Sequence, residues 1–196
     1  MNGPAVIGQA AVLIAALDVR VESDTDLLCV LSGLQTLSQM VEAQKLVRLR
    51  EAEARNLPSA VGAAHPVPWT ADLLKVSRRT AARLRRLNQV LAGAPLVADA
   101  FAAGEISAEQ ARVMADTVKL LPAGGESLVL ARGADLAPDE LRVVLREVQE
   151  EFDPAGTQER DETAAARAEE RARERRRVSL SRLDGSNLIR IDGYLG

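Results

Sequence analysis

The chain has 196 residues, of which 47% are hydrophobic and 27% are charged, with a formal net charge of -3. This composition is typical of a globular protein and excludes an intrinsically disordered chain. Aromatic residues make up only 2%, so Ala, Leu and Val must build the core, which favours packed helices over sheets. The sequence therefore predicts a mainly α protein: a multi-helix bundle that contains a helix-turn-helix-like basic pair and ends in a C-terminal β-hairpin.

Cysteine content and hydropathy indicate the compartment. The single cysteine, Cys29, cannot form an internal disulfide, which fits a reducing environment, and its apolar surroundings from Leu27 to Leu31 predict that it is buried. The apolar stretch from Ala5 to Leu17 has no preceding cation, unlike a signal peptide, and is too short to span a bilayer. We expect a cytoplasmic protein without a membrane partner.

Helical spacing of apolar residues dominates the first third of the chain. It predicts a helix from about Pro4 to Val19 and a second helix of about thirty residues, capped by Ser23 and extending to Arg55. Ser59 to Pro68, with its glycine and prolines, is predicted to be a loop. The apolar stripe of the second helix comprises Leu27, Leu31, Leu34, Leu37 and Val41.

The most distinctive segment is basic. From Leu73 to Ala98 the chain carries six cations and no anion, and Ser77 is placed to cap a helix beginning at Arg78. A short helix, a three-residue turn and a basic second helix form the pattern of helix-turn-helix DNA readers, whose second helix enters the major groove. The competing interpretation is a solvated helix face. The candidate DNA-binding residues are Lys75, Arg78, Arg79, Arg83, Arg85 and Arg86.

The next segments show the patterns of packed and capped helices, and no residue in them suggests catalysis or binding. A short helix from Leu96 to Ala103 is expected to end at Gly104, and Ser107 with Gln110 forms a capping-box pattern that opens the following helix. Pro122 ends that helix. Two further helices are predicted at 126–133 and 138–152.

Residues 157–177 change character, because Ala, Glu and Arg predominate there. They predict a charged helix whose arginine run, Arg173 to Arg177, is either solvated or a nucleic-acid contact. Two β-prone runs then flank the turn-forming residues Asp184 to Asn187. The predicted organisation is a helical domain at 1–156, a connecting helix at 157–177 and, at 178–196, a β-hairpin that starts a truncated continuation.

The order of these segments resembles a known family. Its motifs are Leu49–Arg55, Trp69 with Leu73 and Leu74, Val76–Leu87, Phe101–Arg112, Leu120–Pro122 and the arginine run into Val178–Gly185. Together they are similar to the actinobacterial domain of unknown function 222, found in the 13E12 repeat family, which typically precedes an HNH endonuclease domain. The resemblance implies a non-catalytic, DNA-associated module with double-stranded DNA as its partner, in which Trp69, Leu73 and Leu84 brace the two helices of the basic pair.

Two departures from the family pattern limit what the resemblance implies. Family members often carry histidine where this chain has Gln110, and the nuclease motif would lie beyond the end of this sequence. An HNH site needs histidines and metal ligands, whereas this chain has only His65, expected to be a loop residue, and Cys29. No catalytic residue, metal or cofactor is predicted, and enzyme activity is left open.

A second hypothesis of a different class is a protein-interaction or oligomerisation scaffold without nucleic-acid binding. In it, the long helices from Pro4 to Arg55 and the alanine-lined helix from Thr157 pair with another subunit. Both hypotheses stay open at this point.

Overall fold

A computed structural model describes residues 3–18, 23–175, 178–182 and 189–193. Within these ranges helices dominate, as the composition predicts. The helices are α1 (Gly3–Ala15), α2 (Asp24–Ala54), α3 (Leu57–Ala60), α4 (Pro66–Leu74), α5 (Arg78–Leu91), α6 (Pro95–Ala103), α7 (Ala108–Val118), α8 (Gly125–Gly133), α9 (Pro138–Phe152) and α10 (Pro154–Arg175). Two strands, β1 (Val178–Arg182) and β2 (Ile189–Gly193), follow.

Serine side chains cap the starts of three described helices, α2, α5 and α7. The Ser23 side chain accepts a hydrogen bond from the Asp26 N–H and opens α2, which confirms the predicted long helix. The first helix ends at Ala15, earlier than the predicted Val19. Its last turn tightens there, with the Leu17 N–H donating to the Ile14 carbonyl, a change that apolar spacing does not encode.

The predicted loop from Ser59 to Pro68 is confirmed only at residues 61–65. Helix α3 includes Ser59, and α4 begins at Pro66. In both helices proline occupies the first turn, where its missing N–H leaves no helical bond unmade. Pro66, one of the prolines that indicate a loop, therefore opens α4.

The core lies between the second half of α2 and helices α5 to α9. Its largest fully buried side chains include Phe101, Leu46, Ile106 and Met114, so the alanine, leucine and valine core is completed by larger residues. Cys29 is exposed, which contradicts its predicted burial. The apolar run around Cys29 belongs to the part of α2 that precedes its first buried residue, Ala43.

The ends of α6 and the start of α7 are fixed by a glycine, a capping box and a hydrogen bond from another helix. Gly104 ends α6 at a φ of 78°, as predicted, and a Cβ there would lie 2.8 Å from Thr36 Cγ2 of α2. The capping box of Ser107 and Gln110 is also confirmed. At the start of α6, where Ala94 offers no side-chain cap, the Val97 N–H donates to Glu126 of α8 at 2.9 Å.

Helix α10 begins at Pro154, three residues before the predicted start at Thr157, whose side chain is buried. An ion pair joins the helix to α9: Arg146 of α9 contacts Asp161 of α10 as well as Glu150 of its own helix. The hydrogen bond with Glu150 and the charge of Asp161 raise the pKa of Arg146. Residues 161–173 are exposed throughout.

The two strands pair antiparallel, with Leu180 opposite Ile191 at the centre of the register. The predicted turn from Asp184 to Asn187 lies outside the described residues. The hairpin as a whole therefore stays a prediction.

Candidate nucleic-acid interface

A three-residue turn joins α4 and α5, as the sequence predicts. Lys75 adopts the left-handed conformation with a φ of 56°, and the following Val76 N–H donates to the Ala71 carbonyl at 3.0 Å. Ser77 then caps α5 by accepting a hydrogen bond from the Thr80 N–H at 3.1 Å. The turn reverses the chain so that α4 and α5 pack against each other.

One face of α5 is buried and the other is open. Ala81, Leu87, Val90 and Leu91 are buried, whereas Thr80 is exposed. On α4 the buried residues are Thr70 and Ala71. The side chain of Leu73 is 56% exposed, so its predicted bracing role is wrong, whereas Trp69 and Leu84 are half-buried.

The open face of α5 is basic. Four arginines on it are exposed and form no ion pair within the described ranges: Arg78, Arg79, Arg83 and Arg86. Lys75, in the preceding turn, is likewise exposed and unpaired there. Together with Arg85 these are the cations that the sequence singles out, and we refer to all six as the basic face.

Arg85 differs from the rest of the basic face. Its Nε lies 3.4 Å from a carboxylate oxygen of Glu53 on α2, and both side chains are partly exposed. This ion pair neutralises part of the local positive charge. It is a contact that the sequence does not reveal, because the two residues are 32 positions apart.

Helix α2 also contributes a cation that sequence reasoning missed. Arg50 Nε donates to Asn88 Oδ1 at 3.2 Å, and Asn88 Nδ2 donates to the Leu46 carbonyl at 2.9 Å. These bonds hold an exposed arginine of α2 beside α5. No local signal distinguishes Arg50 from its neighbours in the polar tail of α2, because only the packing of α2 on α5 brings it here.

An open groove of about 430 Å³ lies next to α4 and includes His65, Trp69 and Asp72 in its lining. His65 is exposed at the start of α4 and makes no side-chain cap, in agreement with its predicted loop character. Its neighbourhood lacks the serine, cysteine or lysine nucleophile that would suggest covalent catalysis.

The described ranges also bear on metal binding and membrane insertion. There, no three His, Cys, Asp or Glu side chains lie close enough together to hold a metal ion. No helix in the described part of the chain combines the length and apolar character that crossing a membrane requires. Comparison with protein-family models, curated proteins and solved structures found no match.

Proposed function

We propose that this chain is a non-catalytic, helical DNA-associated module whose α4–α5 pair acts as a helix-turn-helix-like reader. The observation that carries the proposal is the basic face: six cations on a chain of net charge -3, five of them without an ion-pair partner in the described ranges. An acidic protein that concentrates free arginines on one helix has a local surface suited to a polyanion.

The geometry of α5 suits contacts with the DNA backbone and the base edges. Arginine donates in a planar fork that matches phosphate oxygens and the O6 and N7 acceptors of guanine. A helix of 14 residues with its apolar side buried leaves its basic side free to enter a major groove about 12 Å wide.

The resemblance to domain of unknown function 222 supports the same proposal and supplies its context. In that family the helical region typically precedes an HNH endonuclease domain. In this interpretation the chain would serve as the targeting region of an HNH endonuclease-type protein of the 13E12 repeat family, and the chemistry of cleavage would lie elsewhere.

The salt dependence of duplex binding tests the proposal. Changing Arg79, Arg83 and Arg86 together to Gln should weaken binding and flatten the plot of log K against log salt, because each lost phosphate contact removes about 0.9 from the slope. Fluorescence anisotropy with a labelled duplex, measured from about 50 to 200 mM salt, would give both quantities.

A matched control changes three other arginines to Gln: Arg112, Arg132 and Arg142. They carry the same charge but form ion pairs on α7, α8 and α9. The proposal requires that this control retain nearly all of the wild-type slope. If the wild type has no duplex affinity at about 50 mM salt, or both triple variants lose equal slope, the basic face is not a DNA-binding surface.

The scaffold hypothesis remains the alternative function. It is favoured by the exposure of apolar residues on α1 and the first half of α2, an observation independent of the basic face. A chain that fails to bind DNA but forms a defined oligomer would make the scaffold the better description.

A further inference from the structure

The largest concentration of exposed apolar side chains lies at the start of the chain. Of the twenty large hydrophobic side chains that are exposed within the described ranges, twelve belong to α1, the residues directly after it, and α2 up to Val41. No residue of α1 is buried, and the first buried residue of α2 is Ala43. Exposed apolar side chains concentrated in this way mark an interaction site.

This surface is also almost free of charge. Residues 3–15 contain no charged side chain, and neither do residues 27–41 of α2. An exposed helix ordinarily carries charges on its solvent side. The lack of charge over such lengths therefore indicates that both segments are covered in the functional state.

The exposed stripe of α2 points away from the core of its own chain. Leu34 and Val41 are 36% and 51% exposed, whereas Thr36 lies against Gly104 and Ala43 is buried. Leu34 and Val41 are thus each followed two residues later by a residue that contacts the rest of the chain, and two residues on an α-helix are about 200° apart. The stripe is thus free to receive a partner without displacing the core.

We propose that a second copy of this chain covers this surface, with the two α2 helices packed antiparallel about a two-fold axis near Leu34. The stripe Leu27, Leu31, Leu34, Ser38 and Val41 alternates spacings of four and three residues, as helices that pack side by side require. We call these five residues the α2 stripe.

Charge at the ends of the α2 stripe selects the antiparallel arrangement. Asp24 precedes the stripe, Lys45 follows it on the same side of the helix, and both are exposed. In an antiparallel pair centred on Leu34, Asp24 of one copy lies near Lys45 of the other, and the half-buried Glu42, one turn before Lys45, offsets part of this attraction. A parallel pair would instead bring Lys45 next to Lys45 of the second copy.

The α2 stripe alone is too small for a stable dimer, so the proposed contact also includes α1. The four apolar side chains of the stripe would remove roughly 200–300 Å² per copy, and the exposed apolar side chains of α1 would supply the rest. A standard interface buries about 800 Å² per partner. A lipid surface fits less well, since interfacial helices present Lys and Arg on a polar face, and α1 has none.

Mass in solution tests the inference without reference to DNA. Light scattering of the full chain at about 10–100 μM should show a dimer. The double change Leu31→Glu with Leu34→Glu should give a monomer, since both side chains are exposed and their loss leaves the core intact. The control Val143→Glu places a charge on an apolar residue of α9 that is 61% exposed, close to the 55% of Leu31, and should remain a dimer.

Lys45→Gln tests the orientation. It should weaken an antiparallel dimer, because it removes the attraction to Asp24 of the second copy, but strengthen a parallel one. A wild-type monomer at 100 μM, a double variant that remains a dimer with native circular dichroism, or tighter pairing of Lys45→Gln would each overturn the proposal. A monomeric chain that sediments with neutral phosphatidylcholine vesicles would overturn it in favour of lipid.

Discussion

Gln110 joins two parts of the bundle through one amide side chain. Its Oε1 accepts from the Ser107 N–H at 2.7 Å and completes the capping box of α7. Its Nε2 donates to the carbonyls of Ala134 and Leu136, which lie between α8 and α9. The capping box could be predicted from the sequence, whereas the two bonds to the distant loop could not, because they depend on how α7 packs on α8.

We expect Gln110→Ala to lower the free energy of unfolding by about 2–3 kcal/mol, since three hydrogen bonds are lost at about 1 kcal/mol each. Urea unfolding followed by circular dichroism gives this value. Gln89→Ala is the matched control: Gln89 is exposed on α5, so its loss should change stability by less than about 0.5 kcal/mol. Equal effects of the two changes would mean that the bonds of Gln110 contribute nothing.

At the scale of helices, the sequence predicted which helices exist and where they begin better than it predicted which of their residues are buried. Ser23, Ser77 and Ser107 each cap a helix where the sequence indicates one, because a cap needs only its own neighbours. Burial depends on the whole fold, and there the predictions were less accurate: Cys29 and Leu73 are both exposed. An apolar run predicts that a helix has an apolar surface to bury. It does not predict whether that surface is covered by the same chain or by another one.

Gly104 and Gly62 offer a matched pair for measuring one helix–helix contact. Both have a φ of 78°, but a Cβ at Gly104 would lie 2.8 Å from Thr36 Cγ2, whereas at Gly62 it would meet nothing within 4 Å. Gly62→Ala should lower the free energy of unfolding by about 1 kcal/mol, the strain of a left-handed alanine. Gly104→Ala should lower it by at least about 1 kcal/mol more, because α6 must move from α2.

Urea midpoints of the two variants measure that difference. Equal losses of stability would show that α6 can move away from α2 without a measurable cost in the free energy of unfolding. Because both glycines have the same φ, the cost of placing alanine in the left-handed conformation is common to both variants and cancels in the comparison.

For the whole molecule, the distribution of charge matters more than its sum. The chain is acidic overall, yet its unpaired arginines on α5 share one face. The sequence predicted that face from helical periodicity alone. It did not predict that Glu53 of α2 neutralises Arg85 or that Arg50 donates a hydrogen bond to Asn88, because both depend on the contact between α2 and α5.

Two single substitutions separate local from net charge. Glu53→Gln and Glu147→Gln each remove one negative charge, but Glu53 lies 3.4 Å from Arg85, whereas Glu147 is exposed on α9 and unpaired within the described ranges. Glu53→Gln should tighten duplex binding about two- to fivefold at low salt, because it frees Arg85 and removes a carboxylate from the basic face. Glu147→Gln should change binding little. Anisotropy titrations at about 50 mM salt measure both affinities. Equal gains would show that DNA responds to the net charge of the molecule, and a loss of affinity in Glu53→Gln would place Arg85 outside the contact surface.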